Sequence, residues 1–391
     1  MKKILSLFLA LLIISSGVIS CISSARMPNY AAPLYNYKGK IYSDAYALID
    51  MDDPNFQVIA SKNLTKRKYP ASLTKIVTAM VVLNNTKNLN KKTIVRRSTL
   101  NTLNNTGAQV ANLKAGQKLT IEQLLYLTMV YSACDASRVL ADAVGRNNLG
   151  FVKKMNAWVR SIGCKNTHFV NPDGLHHSKH YTTVYDLRLI VKEACKNKTF
   201  LTIATKPCYI FNKTKFLHTN KMLHKSRKYE YYKFARGIKT GYTSQANHCV
   251  ITFSKNGAKK YLIIALGAPL VSVNKHIVNG VYMDAKKLFN WSYKRLRVNR
   301  IIKANQAYTN IPIEQGEGSK TLTLCFKTGV KKLLYGTYDK KKVLVRPINM
   351  PKSVSAPVKA GQKICNAQVY YNGVYVKTVP LITNKSVRYA R

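Results

Sequence analysis

The sequence predicts an α+β fold, a helical layer packed on an antiparallel sheet, followed by a small all-β domain. Three observations carry this. Two hairpin-like pairs of apolar segments sit near the two ends of the first three hundred residues, and helical periodicities fill the interval between them. From about Ile301 the chain becomes short strand-like runs broken by Gly and Pro. At 391 residues with 46% hydrophobic content, the chain exceeds one ordinary compact unit and has enough apolar side chains for a real core. The expected division is a leader at 1–25, a large domain at 26–300 and the β domain at 301–391.

Taken in order, Lys2 and Lys3 precede a mostly apolar stretch from Ile4 to Ile14 and then a small-residue region, the pattern of a signal peptide. The stretch is shorter than the roughly 20 apolar residues that span a bilayer, although a run carried on to Ile22 leaves an uncleaved anchor as an alternative. Val18-Ile19-Ser20-Cys21 resembles a bacterial lipobox, which would lipidate Cys21, whereas Ser23-Ser24-Ala25 resembles a small-x-small cleavage site. In each case the mature chain works outside the cytoplasm.

Ala45 to Asp50 and Phe56 to Ala60 form a hairpin pattern around Asp52-Asp53-Pro54-Asn55. Pro70 then opens a buried helix over Ser72 to Leu83, with Leu73, Ile76, Val77, Met80 and Leu83 at helical spacing. A capping-box pair, Thr120 and Gln123, starts a helix that buries Leu124, Leu125 and Leu127 and ends near Tyr131. Further helices fit Ala136 to Val144 and Gly150 to Ile162. Cys249 to Ser254 and Tyr261 to Leu266 are β-rich strands around Asn256-Gly257, expected in the same sheet as the first hairpin. Val278 to Trp291 reads as a closing helix. In the last domain Leu322 to Phe326, Val343 to Pro347 and Ala367 to Tyr371 read as strands, and their tyrosines suit sheet packing better than a sugar platform.

The formal net charge is +49, from 64 Lys and Arg against 15 Asp and Glu. In a cytosolic protein this would suggest nucleic acid. In an exported chain with basic residues spread throughout, it suggests a solvated basic surface or attraction to anionic envelope polymers and lipid headgroups, with no nucleic-acid partner. Of eight cysteines, Cys21 is lost to cleavage or lipidation, and the odd remainder means at least one free thiol or an intermolecular bond, with Cys134 the candidate odd one. No C-x-x-C pair supports a zinc ribbon, and neither a metal nor another cofactor is expected.

Three short motifs carry chemistry: Ser72-Leu73-Thr74-Lys75, Ser132-Ala133-Cys134 and Lys239-Thr240-Gly241. The i, i+3 spacing puts Lys75 one turn from Ser72 on the same face. A serine hydroxyl needs a base to become a nucleophile, and a lysine serves as one only where desolvation and nearby positive charge favour its neutral form. Burial in an apolar helix and Lys239 are placed to supply both. Ser132, at the end of a buried helix, is placed to relay a proton to the leaving group. Lys239-Thr240-Gly241 fits an edge strand, where Gly241 lets a substrate backbone approach and Lys239, Thr240 and Thr243 bind a carboxylate. The N–H groups of Ser72 and Tyr242 would serve as oxyanion donors.

These motifs are similar to those of the serine penicillin-recognising enzymes. From roughly Ala45 to Tyr293 the chain resembles the low-molecular-mass D-alanyl-D-alanine carboxypeptidases. The resemblance extends to Pro70-Ala71 before the first motif, Asp135-Ala136 after the second, Lys165 to Phe169, Asn171-Pro172-Asp173-Gly174-Leu175, Thr183 to Leu187, and Gly237 to Thr243. Ala356 to Gln362 resembles part of the family's C-terminal domain. The resemblance implies the β-lactamase/penicillin-binding-like fold and removal of the terminal D-alanine from peptidoglycan stem peptides through an acyl-enzyme. It also implies capture of β-lactams by Ser72, and work in the periplasm or at the outer face of the cytoplasmic membrane. Cys134 stands in the substrate-binding position where the family usually has Asn. A thiol replaces an amide's two hydrogen-bonding functions poorly, so a weakly catalytic or non-catalytic penicillin- or wall-binding protein is the rival reading.

Other departures are His218 for Asn in His218-Thr219-Asn220 and Asn247 for Gly; both are expected to be tolerated. His168, His176 and His177 are expected to be structural. Asp186 is expected to pin a loop. Glu193 and Glu230 are not placed like the deacylating base of a β-lactamase. With few residues after Pro380 to form an amphipathic helix, any membrane attachment is expected at the N-terminus.

Overall fold

The computed structural model describes residues 33–335 and 338–390. The signal-peptide, lipobox and Cys21 readings therefore lie outside the described residues. In chain order the larger unit comprises β1 (Ala45–Asp50), β2 (Val58–Lys62), α1 (Thr74–Asn85), α2 (Ile121–Tyr126), α3 (Cys134–Gly145), α4 (Asn148–Ser161), α5 (Val184–Ala194), α6 (Lys198–Ala204), β3 (Ala235–Thr243), β4 (Asn247–Asn256), β5 (Lys259–Ala268) and α7 (Gly280–Arg295). The five strands named here form one antiparallel sheet in the order β2-β1-β5-β4-β3, so the two hairpins meet in a single sheet as expected, and short two-stranded hairpins lie outside it.

Alternation explains why these strands are so apolar. Ala45, Ala47 and Ile49 of β1, with Leu262, Ile264 and Leu266 of β5, face the helical layer around α1, α3 and α4. Their neighbours Tyr46, Leu48, Tyr261, Ile263 and Ala265 face α7 on the other side. A sheet covered on both faces has no solvent side, and its central strands read as continuous hydrophobic runs. The edge strand β3 is the exception, and it carries the third motif.

Helix starts depart from the sequence expectation by a residue or two: α3 opens at Cys134 rather than Ala136, and α4 at Asn148 rather than Gly150. Ala71 has φ +47, and Ala71–Leu73 forms a 3₁₀ turn before α1 begins at Thr74, so Ser72 precedes the α-helix rather than opening it. The closing helix starts at Gly280 instead of Val278, because Val278 pairs with Val271 in a short hairpin and the Asn279 side chain caps the helix by accepting from Val281 N–H. The capping box at Thr120 and Gln123 is present.

The β unit follows with β6 (Leu296–Ile302), β7 (Ala307–Glu314), β8 (Thr321–Phe326), β9 (Val330–Tyr335), β10 (Val343–Ile348), β11 (Val354–Ser355), β12 (Lys363–Tyr371) and β13 (Val374–Thr383). Six of these form a sheet in the order β10-β12-β13-β8-β7-β11, and β6 pairs with β9. Its core gathers Leu324, Phe326, Ala367, Val369, Val379 and Leu381. The seven cysteines among the described residues, Cys134 included, are all free thiols.

Candidate active site

The approach to Ser72 is set by close backbone packing. A Cβ on Gly174 would lie 2.0 Å from the Ala71 oxygen, and one on Gly241 would lie 3.0 Å from Ser72 N and 2.9 Å from the Pro70 oxygen. Glycine at these two positions lets the 171–175 loop and β3 close on Ser72 from two sides. Lys75, 0% exposed on the first turn of α1, reaches the same point. Its Nζ donates to Ser72 Oγ at 3.0 Å, to the Asp173 carbonyl at 2.6 Å and to Cys134 Sγ at 3.4 Å. The Ser72 hydroxyl is half-buried and lies 3.5 Å from the Asp173 carbonyl.

Helix α2 runs into a π-helical turn, Leu127–Tyr131, which ends at Ser132 with φ +68. This left-handed residue turns the chain into α3. Ser132 is buried, and its hydroxyl makes no hydrogen bond among the described residues. Cys134 begins α3 with its N–H donating to the Gln109 carbonyl at 2.8 Å. Burial pushes its thiol up, and the neighbouring Lys75 opposes that only in part, so the group at this position is a neutral thiol.

On β3, Lys239 is fully buried, and its Nζ donates to the Thr240 carbonyl at 3.0 Å. Burial, and then repulsion from Lys75, lower its pKa well below that of an ordinary lysine. Thr240 Oγ1 donates to Thr219 Oγ1 at 2.6 Å, while Thr243 Oγ1 accepts from Ala246 N–H at 3.0 Å. Tyr242 is 59% exposed and stacks on His248 with ring centroids 4.6 Å apart. The segment His218–Asn220 straps β3 from behind: Asn220 Nδ2 donates to the Gly237 carbonyl at 2.7 Å and to Thr252 Oγ1 at 3.1 Å. His218 is buried and held neutral, its pKa pushed down to about 3 by burial and then by Lys239.

Residues 32–269 match the family model described as D-alanyl-D-alanine carboxypeptidase. The chain belongs to this family. Residues 297–389 match the penicillin-binding protein 5 C-terminal domain. Among curated relatives, the D-alanyl-D-alanine carboxypeptidase DacF of Bacillus subtilis is 26% identical over 343 residues, covering 85% of this chain and 83% of that protein. Among solved structures, penicillin-binding protein 5 of Haemophilus influenzae superposes with a TM-score of 0.67 at 22% identity, covering 90% of this chain and 99% of the other. The Streptomyces K15 DD-transpeptidase superposes at 0.59 with 28% identity, covering 66% and 99%. The α+β fold with a trailing β domain is thus that of the serine-type carboxypeptidase family.

Within this family member, contacts bring together Ser72, Lys75 and Cys134, and Gly241 and Lys239 adjoin them. Sequence reasoning missed what Asp173 and Arg138 do. The Asp173 main-chain oxygen holds Lys75, while its carboxylate, 0% exposed, pairs with Arg138 Nε at 2.5 Å and accepts from Leu175 N–H at 3.1 Å. A main-chain carbonyl leaves no signature in residue type. Its ion-pair partner was legible only as an arginine one turn after Cys134. Asp186 pins the 165–167 segment, accepting from Asn166 N–H and Thr167 Oγ1, both at 2.7 Å. His168 and His177 bond to Lys179 main-chain atoms, and His176 packs edge-on against Tyr69. Glu193 pairs with Lys196, and Glu230 with Lys221.

Proposed function

We propose that this chain removes the terminal D-alanine from peptidoglycan stem peptides ending in D-Ala-D-Ala, through an acyl-enzyme on Ser72. The observation that carries this is Lys75 Nζ, sealed from solvent and 3.0 Å from Ser72 Oγ. Lys75 takes the Ser72 proton as Oγ attacks the penultimate D-Ala carbonyl. The resulting oxyanion is met by the N–H groups of Ser72 and Tyr242. Collapse breaks the peptide bond, and Ser132 hands the proton on Lys75 to the leaving amine. Water then attacks the ester, Lys75 again accepting a proton, and the shortened peptide leaves with Ser72 restored.

Lys239, Thr240 and Thr243 would hold the substrate's terminal carboxylate. Burial and repulsion from Lys75 disfavour the charge on Lys239, and an arriving carboxylate supplies the countercharge that favours it again. A β-lactam presents a carboxylate and a strained amide in the same arrangement, and would acylate Ser72 in the same way. The site residues are therefore Ser72, Lys75 and Ser132 for bond-making, with Cys134, Lys239, Thr240, Gly241, Tyr242 and Thr243 for binding.

The chain is proposed to be exported, with 26–300 as the catalytic unit and 301–391 as the β domain, a division that limited proteolysis tests. No helix among the described residues is long and apolar enough to cross a membrane. Its net charge of +49 favours retention on anionic envelope polymers or lipid headgroups, released as salt rises.

The test is release of D-alanine from a diacetylated tripeptide ending in D-Ala-D-Ala. Wild-type protein is expected to release it and Ser72→Ala is not. Equal rates from the two would end the enzyme claim. Labelling by a fluorescent penicillin without D-alanine release would instead favour the weakly catalytic reading that Cys134 raises.

A further inference from the structure

Three polar groups given no role above form a directed chain that ends on the peptide preceding the nucleophile. The Val170 N–H points at His180 Nδ1 at 3.2 Å, so Nδ1 is the acceptor and the ring proton sits on Nε2. His180 Nε2 lies 2.7 Å from Thr74 Oγ1, and Thr74 Oγ1 lies 2.8 Å from the Ala71 carbonyl. Only one polarity satisfies all three contacts: Val170 N–H to His180, His180 Nε2–H to Thr74, and Thr74 O–H to the Ala71 oxygen. His180, Thr74 and Ala71 are all buried, and the Phe169 ring packs edge-on against His180 at 5.2 Å.

The Ala71 carbonyl and the Ser72 N–H belong to one peptide unit. That unit is trans, and in a trans peptide the two groups point in opposite directions. Holding the carbonyl therefore aims the N–H. Ala71 has φ +47, a conformation that costs a non-glycine residue of order 1–3 kcal/mol and persists only where the surroundings fix it. The Ser72 N–H itself donates to nothing among the described residues, which leaves it available at the attack site.

We propose that His180 and Thr74 are positioning residues for this reaction, fixing and polarising the Ala71–Ser72 peptide so that its N–H serves as an oxyanion donor. This rests on the acyl-enzyme reading above. A donor on the carbonyl draws electron density along the amide and makes the N–H on its other side a stronger donor, as in any chain of hydrogen bonds. The direction of the chain requires a neutral imidazole, because a second ring proton would face the Val170 N–H. Burial supplies this, holding His180 down to about 3 against the attraction of Asp173 and with the aid of His168, His176 and His177.

The experiment compares Thr74→Val, which is nearly isosteric, Thr74→Ser, which keeps the hydroxyl, His180→Leu, and the double variant Thr74→Val/His180→Leu. The readouts are the acylation rate of Ser72 by a chromogenic cephalosporin and the ¹H–¹⁵N resonance of the Ser72 amide. Thr74→Val and His180→Leu are each expected to slow acylation about 10-fold, the worth of one hydrogen bond lost at the transition state. The Ser72 amide resonance should move upfield in both, the double variant should be no slower than the slower single one, and Thr74→Ser should restore rate and resonance. An unmoved Ser72 resonance in Thr74→Val, or single effects that multiply in the double variant, would overturn the proposal. If the wild type itself is not acylated, the acyl-enzyme reading fails, and the Ser72 resonance still decides whether the chain from His180 fixes the peptide.

Discussion

Replacing Arg138 by leucine would remove the cation from a buried pair and leave the Asp173 carboxylate stranded. Asp173 is 0% exposed, and without Arg138 Nε at 2.5 Å its carboxylate keeps the Leu175 N–H as its remaining partner among the described residues. Breaking a buried pair by removing one partner costs about 3–5 kcal/mol. For a chain of this size each kcal/mol moves the melting temperature by roughly 2–4 °C, so a fall on the order of 6–20 °C is expected. Activity should fall further than stability explains, because the same residue's main-chain oxygen holds Lys75 Nζ at 2.6 Å. Thermal melting by circular dichroism and the rate of fluorescent-penicillin labelling measure the two effects. The double variant Arg138→Leu/Asp173→Asn, with no charge left to strand, should recover most of the lost stability. A melting temperature within about 1 °C of wild type in Arg138→Leu, or losses that simply add in the double variant, would refute the reasoning.

Lys239→Ala should raise KM for a peptide with a free terminal carboxylate by roughly 10- to 150-fold, the range of one charge-assisted hydrogen bond, and should affect an uncharged thioester much less. Steady-state kinetics on the two substrates separates these outcomes. Cys134→Asn replaces a thiol that only accepts from Lys75 with an amide that also donates; turnover of the peptide should rise by about 10-fold, and an unchanged or lower turnover would remove the significance attached to Cys134. Asp50 is 8% exposed, and burial raises its carboxyl to about 6 from 3.8. The folded chain therefore holds this proton more tightly than the unfolded one, and stability falls as pH rises from about 4 through about 6. Asp50→Asn should flatten that slope and gain up to about 3 kcal/mol at pH 7 in urea unfolding.

The parts of the fold that could be read from sequence are those with local causes. β5 reads as a strand because both faces of it are covered, and α2 because Thr120 and Gln123 cap it. The β unit was legible as a texture change, but its strand order was not, since β7 pairs with β8 on one side and with the short β11, parallel, on the other. At the site, motif spacing placed Ser72 beside Lys75 and put the third motif on an edge strand. It gave no hint of His180 on Thr74, 106 residues apart, or of the positive φ at Ala71. Those depend on where the 169–180 segment crosses α1. That crossing is fixed by packing between Gly174 and Ala71 and by the Thr78 hydroxyl donating to the Pro172 carbonyl at 2.6 Å.

The claim on which the rest depends is that Ser72, activated by Lys75, forms a covalent acyl-enzyme. Intact-mass measurement after brief exposure to benzylpenicillin, followed by peptide mapping, tests it directly. One added penicilloyl group is expected on the peptide containing Ser72, absent in Ser72→Ala and strongly slowed in Lys75→Met. An unmodified wild-type protein, or an adduct on any other residue, would contradict it.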